Sequence, residues 1–289
     1  METTKNCLLC KHEESSLFDK REMHGLEVNN RICKNCGFVY LSPRMTEEEL
    51  DQFYKNEYRT LYHGQEAPTP ADLNTQQQRA DHLLSLVKNE NQNITRHLDI
   101  GSSSGVLLKT IIKGFNCIGI GVEPGDSYRD YAESQGLKIY ASLEQLKKDE
   151  KEKFDLISMS HVLEHMPDPI ALLSELSGLL TEEGKLLVEV PNLYGHTSFE
   201  ISHLSSFSPH TLAEIFKQAG YKDLKIKVHG TPRSKILPLY LTLLASPNNE
   251  AEKQEIIPER FVPAKRKLGM LNQKIMGRLF PKKAWLPKI

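Results

Sequence analysis

The chain has 289 residues, of which 37 are Lys or Arg and 38 are Asp or Glu, so its formal net charge is -1. This length allows one large domain and one small one, and the balanced charge argues against a global attraction to nucleic acid or membranes. No apolar run is long enough to cross a bilayer, and the polar N-terminus lacks the apolar core of a secretory signal, so we expect a cytoplasmic protein.

Residues 1–45 contain two C-x-x-C pairs and no long periodic segment. Each pair can place two thiolates on one metal ion, and four soft thiolates in a tetrahedral arrangement favour zinc. Four sulfur ligands leave no open coordination position, so we expect this zinc to be structural. His12 or His24 could replace a cysteine, although we expect both to face solvent, and Cys117 is expected to be a small buried apolar residue. The predicted ligands are Cys7, Cys10, Cys33 and Cys36.

Residues 46–95 are predicted to form a helical connector and lid. Thr46 and Glu49 can form a capping box before a helix, and residues 71–87 have a second helical pattern. Three tyrosines of this connector are candidates to line a substrate pocket, or they pack without a functional role. They are Tyr54, Tyr58 and Tyr62.

Residues 96–248 alternate short apolar runs with helical patterns, which indicates a parallel sheet with helices on both faces. The fold class is therefore predicted to be α/β, with a doubly wound, mostly parallel, seven-stranded sheet. The predicted strands are 97–101, 117–124, 138–141, 154–161, 185–192, 223–228 and 236–245. The predicted helices are 106–113, 127–136, 143–149, 169–180 and 210–220.

Residues 249–289 are predicted to form a basic C-terminal tail, with nine Lys or Arg and no Asp or Glu from residue 260 onward. Four apolar residues fall on one face of a possible helix, so the tail could be a basic amphipathic helix that contacts a membrane surface or a glycan-assembly partner. The alternative is a helix that is merely solvated or docked on the core. The apolar residues are Leu268, Leu271, Ile275 and Leu279.

The first predicted strand of residues 96–248 runs into a turn with Gly101 and Gly105, where the backbone can approach a ligand closely. The next strand ends in Glu123, 24 residues after Asp99, and a carboxylate there can accept both hydroxyls of a ribose. The turn reads G-S-S-S-G rather than G-x-G-x-x-G, which disfavours a nicotinamide or flavin dinucleotide.

Four segments resemble the class I S-adenosylmethionine-dependent methyltransferases. The pattern Asp99-x-Gly-x-x-x-Gly with the later Glu123 resembles their first motif and ribose acid, except that Ser103 stands where a glycine is usual. Residues 154–169 resemble the fourth strand and the following helix, residues 183–192 resemble the fifth strand, and residues 199–221 resemble the helix and turn before the final strands. With the cysteine pairs and residues 37–45, the chain resembles zinc-containing methyltransferases that include C-methyltransferases of nucleotide-linked deoxysugars.

The resemblance implies a role for each matching residue. Asp99, Gly101 and Gly105 would surround the methionine part of the cofactor, and Glu123 would hold its ribose. Ala141 and Ser142 would lie near the adenine, and Ser160 and His161 would face the sulfonium.

Methyl transfer also requires a base where the acceptor must lose a proton, and histidine suits this task near neutral pH. His203 is the first candidate because it lies in a segment that resembles a His-containing part of the family, and His161 is the second. Either could instead only orient the substrate. The other histidines considered are His165, expected to be structural, His196, and His210, expected to face solvent at a helix start.

The sequence thus favours a methyltransferase that acts on a small molecule, such as a nucleotide-linked sugar, at carbon or oxygen. One alternative is an RNA methyltransferase whose zinc module binds nucleic acid, which Arg31, Lys34 and the basic tail would support. A broad basic surface with stacking aromatic residues is not evident, and this disfavours RNA. A second alternative is a non-catalytic partner protein that retains the fold.

Overall fold

The computed structural model describes residues 1–23, 25–56, 67–90, 93–197, 199–248 and 254–287. The strands are β1 (Ser15–Met23), β2 (Leu26–Cys33), β3 (Val39–Leu41), β4 (Arg96–Ile100), β5 (Ile118–Val122), β6 (Lys138–Tyr140), β7 (Phe154–Ser160), β8 (Leu180–Pro191), β9 (Ser205–Ser206), β10 (Tyr221–His229) and β11 (Tyr240–Pro247). The helices are α1 (Glu47–Asn56), α2 (Pro70–Lys88), α3 (Val106–Phe115), α4 (Asp126–Ser134), α5 (Leu143–Asp149), α6 (Pro169–Ser177), α7 (Pro209–Gln218), α8 (Val262–Leu279) and α9 (Pro281–Ala284).

The large sheet has seven strands in the order β10-β11-β8-β7-β4-β5-β6. The neighbouring strands from β8 to β6 pair in parallel, whereas β11 is antiparallel to both β8 and β10. The prediction of a doubly wound, mostly parallel α/β fold is confirmed. Asp99 of β4 lies opposite Gly121 of β5 and Ser158 of β7, so the carboxyl ends of these central strands share one edge. Ligands of open α/β sheets bind at this edge.

The segment after β7 differs from the helix suggested by its sequence. Only one 3₁₀ turn forms, at Leu163–His165, and Met166 is then extended. Pro167 explains the break, because the residue before a proline is sterically disfavoured in helical conformation. The α6 helix begins at Pro169, with the Asp168 side chain accepting a hydrogen bond from the Ala171 amide.

The N-terminal residues form a second sheet, in the order β1-β2-β3-β9. Its last strand comes from the middle of the chain: Val39 pairs with Ser206, and the Leu41 amide donates to the Leu204 carbonyl at 3.0 Å. The cysteine segment is therefore joined by backbone hydrogen bonds to the loop after β8. His12 is exposed as expected, whereas His24, Tyr58, Tyr62 and the side chain of Tyr54 lie outside what the structure describes.

The tail forms the helix α8, which packs on the loop after β8. Val262 is buried, and the Arg266 guanidinium donates hydrogen bonds to the carbonyl oxygens of Leu193 and His196. The four apolar residues of the predicted stripe lie on a different face and are all exposed. Within the described residues, no helix combines the length and apolar character needed to cross a membrane.

Candidate active site

A cavity of about 650 Å³ opens at the carboxyl edge of β4, β5 and β7. It brings together nearly all the residues assigned from the sequence to cofactor binding and proton transfer. Those that line it are Asp99, Gly101, Glu123, Ala141, Ser142, Ser160, His161 and His203. A volume of this size is typical of small-molecule sites.

The glycine turn after β4 forms one wall of the cavity. Gly101 has a φ of +68°, and a Cβ there would lie 2.4 Å from Cγ2 of Val162, so no larger residue fits. Ser103, at the position where a glycine is usual, also takes a left-handed φ, of +50°. Gly105 is not part of the lining: a Cβ there would lie 2.2 Å from Cδ1 of Leu137, so it permits close packing behind the turn.

Glu123 is 4% exposed and fixed in position by backbone groups of the turns. Its Oε2 accepts a hydrogen bond from the Ser103 amide, and its Oε1 accepts one from the Gly125 amide, both at 2.9 Å. Carboxylate oxygens can each accept more than one hydrogen bond, so this arrangement can also hold the two hydroxyls of a ribose. The buried acid suits the ribose of S-adenosylmethionine. The glycine turn, whose backbone a ligand can approach closely, suits the methionine part.

Asp99 is buried at the end of β4 and belongs to a polar chain. The Ser158 hydroxyl donates to Asp99 Oδ1 at 2.6 Å, and His97 Nε2 lies 2.8 Å from that hydroxyl. Burial raises the pKa of Asp99 to about 7; the negative charge of Glu123 adds to this rise and the Ser158 hydrogen bond opposes it. A cationic ammonium group next to Asp99 would favour its ionised form.

His161 also lines the cavity, and it lies between two buried carboxylates. Its Nδ1 is 3.2 Å from Glu164 Oε1, and its Nε2 is 3.1 Å from Glu189 Oε1, which Arg79 also contacts at 2.6 Å. Burial and the Arg79 charge act to lower the pKa of His161, but its bonds to the two glutamates outweigh them and the pKa is raised. Burial acts to raise the pKa of Glu164, but the hydrogen bond from His161 and nearby histidine charges bring it down to about 2.

His203 lines the same cavity in a different environment. It is 9% exposed, and its ring stacks edge-on against that of His165 with centroids 4.8 Å apart. Its Nε2 lies 3.6 Å from Glu200 Oε2. Burial, reinforced by the charge of His165, lowers the pKa of His203 to about 3, so the ring is neutral at pH 7.

The remaining histidines are placed as follows. His165 is buried, in agreement with the expected structural position, but it also lines the cavity. His196 lines the cavity beside Tyr240. His210 lies at the start of α7 outside the cavity lining, with its Nε2 2.7 Å from the Ile257 carbonyl oxygen.

Several residues that line the cavity or contact its lining were not identified from the sequence. Glu189 carried a usable signal, because an acidic residue in the otherwise apolar run KLLVEVPN must have a buried partner. Arg79 carried none, since it lies in an ordinary polar helical pattern and meets Glu189 only in the folded chain. The others are Glu164, Glu200, Arg233 and Tyr240.

The four predicted cysteine ligands also come together. Cys7 Sγ lies 3.5 Å from Cys36 Sγ, Cys10 Sγ lies 3.5 Å from Cys33 Sγ, and all four sulfurs fall within 4.8 Å of one another. Zn–S bonds of about 2.3 Å in a tetrahedron require sulfur separations of about 3.8 Å, so this cluster fits one zinc ion.

Comparison with known sequences identifies a domain family and a set of relatives. The methyltransferase-domain family matches residues 73–226, which is over half of the chain. The ubiquinone biosynthesis O-methyltransferase of Actinobacillus pleuropneumoniae serotype 7 is 34% identical over 105 residues, which are 33% of this chain and 45% of the relative. The enzyme of the same name from Coxiella burnetii is 33% identical over 102 residues, 33% of this chain and 43% of the relative. The chain thus spans less than half the length of these curated relatives.

Solved structures share the fold at low sequence identity. The 1,6-didemethyltoxoflavin-N1-methyltransferase of Burkholderia thailandensis superimposes with a TM-score of 0.56 at 15% identity, covering 80% of this chain and 100% of its own. The plantazolicin methyltransferase BpumL gives a TM-score of 0.52 at 13% identity, covering 69% of this chain and 94% of its own. Both were solved with S-adenosylhomocysteine. The domain match and the seven-stranded fold together show that the chain belongs to the methyltransferase-domain family of class I S-adenosylmethionine-dependent enzymes.

Proposed function

We propose that this protein transfers the methyl group of S-adenosylmethionine to a small-molecule acceptor. The observation that carries the proposal is one cavity lined both by the glycine turn with Glu123 and by a buried histidine–carboxylate cluster. The turn and Glu123 suit a nucleoside, and the cluster suits an acceptor that must lose a proton. Methyl transfer needs such a juxtaposition because donor and acceptor must lie in line.

Bound S-adenosylmethionine supplies an activated methyl group on a sulfonium. Glu123 accepts hydrogen bonds from the ribose, and Asp99 lies next to the ammonium of the methionine part. Ala141 and Ser142 border the adenine, while Ser160 and His161 border the sulfonium. These are the roles that the family resemblance implies, and the support for them is that all six side chains line the same cavity.

The two candidate bases differ in what surrounds them. Both ring nitrogens of His161 face carboxylates, which favours a doubly protonated ring that anchors Glu164 and Glu189 and has no lone pair to accept a proton. His203 is the better group to engage the acceptor, because its ring is not enclosed between two carboxylates in this way. We therefore retain His203 as the residue that acts on the acceptor and give His161 a positioning role.

We favour an acceptor with an anionic group, such as a nucleotide-linked sugar. Arg233 supports this choice because it is exposed and lines the cavity, where its guanidinium can bind a phosphate. A phenolic acceptor is the second candidate, because curated relatives are named ubiquinone biosynthesis O-methyltransferases. An acceptor screen with both classes separates them, since Arg233→Gln would weaken turnover of a nucleotide-linked sugar more than that of an uncharged phenol.

The cofactor site is tested by calorimetric titration with S-adenosylmethionine and S-adenosylhomocysteine. Glu123→Gln removes one charged acceptor with little change in shape and is expected to weaken binding by about 10- to 100-fold. Glu133→Gln, on the exposed face of α4, is the matched control and should bind like the parent protein. Absence of binding in folded, zinc-loaded protein would overturn the proposal.

We also propose that Cys7, Cys10, Cys33 and Cys36 hold one structural zinc ion. Support comes from the sulfur separations and from the four thiols that surround one point. The metal would hold β3 against β9 and so stabilise the loop that carries His203.

We further propose that α8 contacts an anionic membrane surface. The exposed apolar stripe is flanked on one side by basic residues, while the opposite side of the helix is docked on the protein. A helix with apolar and basic residues arranged in this way binds at the interface of anionic lipids. The flanking residues are Lys267, Lys274 and Arg278.

A further inference from the structure

A second group of side chains that could hold a metal ion lies in the cavity wall. Glu164, His165 and His203 each offer a ligand atom, and these atoms all lie within 4.8 Å of one another. All three residues are buried and line the cavity. None of the four clustered cysteines lines this cavity, so this group is separate from them.

His165 is oriented as a metal ligand would be. Its Nδ1 donates to the Ser202 carbonyl oxygen at 2.9 Å, so Nε2 is the ring nitrogen that can bind a cation. That Nε2 lies 4.0 Å from Glu164 Oε1, too far for a hydrogen bond but within reach of a shared cation. Histidines that bind metals usually donate their other ring N–H to a carbonyl or carboxylate in this manner.

One carboxylate oxygen of Glu164 is available to a ligand. Its Oε1 faces His161, whereas its Oε2 is buried and has no hydrogen-bond partner among the described residues. A buried carboxylate oxygen without a partner is costly, and a cation would satisfy it. Because the three ligand atoms lie within 4.8 Å of one another, they need to move inward by no more than about 0.7 Å to reach metal–ligand distances near 2.1 Å.

We propose that Glu164, His165 and His203 bind a divalent cation that coordinates an oxygen of the methyl acceptor. This inference rests on the proposed methyl transfer and gives His203 the role of a ligand. Two imidazoles and one carboxylate leave coordination positions for substrate oxygens. The site therefore selects acceptors with two neighbouring oxygens, either vicinal hydroxyls or a hydroxyl beside a carbonyl.

The bond changes balance without an added oxidant or reductant. A cation lowers the pKa of a hydroxyl that it binds. The acceptor O–H bond breaks and its proton passes to solvent, for which Glu200 at the cavity wall is a relay. The acceptor oxygen then forms a bond to the methyl carbon as the carbon–sulfur bond breaks, leaving S-adenosylhomocysteine. The oxidation state of the cation does not change.

The test is titration of the zinc-loaded protein, residues 1–289, with Mn²⁺, and the free Mn²⁺ is measured by its electron paramagnetic resonance signal. Mn²⁺ is a suitable probe because it prefers oxygen and nitrogen donors and does not displace zinc from four thiolates. We expect one Mn²⁺ per chain, and an affinity reduced by at least about 10-fold in His203→Gln and in Glu164→Gln. His196→Gln is the matched control, since His196 lines the same cavity outside the group, and it should bind Mn²⁺ like the parent protein.

Titration of the same variants with S-adenosylhomocysteine separates this inference from the proposed function. Retained S-adenosylhomocysteine binding in His203→Gln and Glu164→Gln, with loss of Mn²⁺, supports the cation site and shows that the variants are folded. Binding of S-adenosylhomocysteine without any Mn²⁺ binding overturns the cation site and leaves the methyltransferase proposal intact. Equal loss of Mn²⁺ affinity in His196→Gln would also overturn it.

Discussion

Asp99 provides a pH-dependent test of the cofactor site at the scale of one residue. Burial raises the pKa of this carboxyl to about 7, so part of the free protein holds a proton there at neutral pH. A bound ammonium group favours the carboxylate, so binding must release that proton at low pH. We expect S-adenosylhomocysteine affinity to rise from about pH 5.5 to about pH 7.5 and then to level off.

The measurement is calorimetry across this pH range in two buffers of different ionisation enthalpy, which counts the protons released. Asp99→Asn is the matched variant, because its amide has a similar shape and does not titrate. Its affinity should be weaker and nearly independent of pH. If the variant retains the pH slope of the parent protein, the titrating group is not Asp99, and its place beside the ammonium would be wrong.

The contrast between Asp99 and Arg79 shows what could be read from the sequence at this scale. Asp99 and Glu123 end consecutive strands of a parallel sheet, so their approach follows from the order of the elements alone. The contact of Arg79 with Glu189 joins α2 to β8 across 110 positions of the chain and has no sequence pattern of its own. Glu164 and His203 likewise come together only in the folded protein, and no sequence pattern predicts that they do.

At the scale of elements, the apolar runs were sufficient to predict the central strands, because β4, β5, β7 and β8 are buried on both faces. The two-residue strand β9 could not be predicted. It contains only Ser205 and Ser206 and exists because β3, far earlier in the chain, offers an edge to it. Short pairings between distant segments leave no periodicity to detect.

The β3–β9 pairing leads to a prediction about the cysteine cluster. Cys10→Ser removes one ligand, and we expect zinc affinity to fall by more than about 100-fold, because changes even outside the ligand set cost about 10- to 100-fold. Amide hydrogen exchange should then accelerate in residues 38–42 and 203–207, which pair with each other, and not in residues 118–125 at the proposed cofactor site. Mass spectrometry of peptic fragments measures all three segments.

Cys117→Ser is the control for this experiment, since Cys117 is a cysteine outside the cluster. It should leave zinc content and exchange rates unchanged. If amide hydrogen exchange in Cys10→Ser accelerates equally across the chain, or does not accelerate at β3 and β9, the proposal that a zinc ion supports the His203 loop is wrong.

The helix α8 gives a second prediction at this scale. The side chains of Leu271 and Ile275 are 53% and 44% exposed, so changing both to serine should not disturb the fold. Each leucine-sized side chain that enters an apolar phase contributes about 1.5–3 kcal/mol, so the double variant should bind anionic vesicles at least about 10-fold more weakly. Co-sedimentation with phosphatidylglycerol vesicles at low and high salt measures this effect.

Leu17→Ser is the comparison for the membrane experiment, because Leu17 is 54% exposed but lies on β1, away from the basic tail. Its vesicle binding should equal that of the parent protein. If the α8 double variant binds vesicles as well as the parent does, the stripe is not the membrane-binding surface.

At the scale of the whole molecule, the cysteine segment and the methyltransferase sheet share one apolar core. Cys7, Phe38 and Tyr40 belong to the same buried cluster as Leu98 of β4 and Ile157 of β7. Two modules with a continuous core lose their stabilising contacts together. We therefore expect urea to release zinc over the same concentration range in which the helical circular dichroism is lost.

Binding of S-adenosylhomocysteine sharpens this prediction, because its proposed site at Glu123 lies on the large sheet, away from the cysteines. A ligand at 100 times its dissociation constant stabilises the folded state by about 2.7 kcal/mol. In a molecule with one cooperative core, that stabilisation must raise the urea midpoint of zinc release as far as it raises the urea midpoint of the circular dichroism. A chromogenic chelator measures the release of zinc. In Glu123→Gln, whose affinity is expected to be about 10- to 100-fold weaker, the same ligand concentration should stabilise the folded state by only about 0.4–1.4 kcal/mol and move both midpoints correspondingly less. Zinc released before the helices unfold, or a midpoint shift confined to the dichroism, would mean that the N-terminal sheet unfolds independently and that the shared core does not couple the two parts.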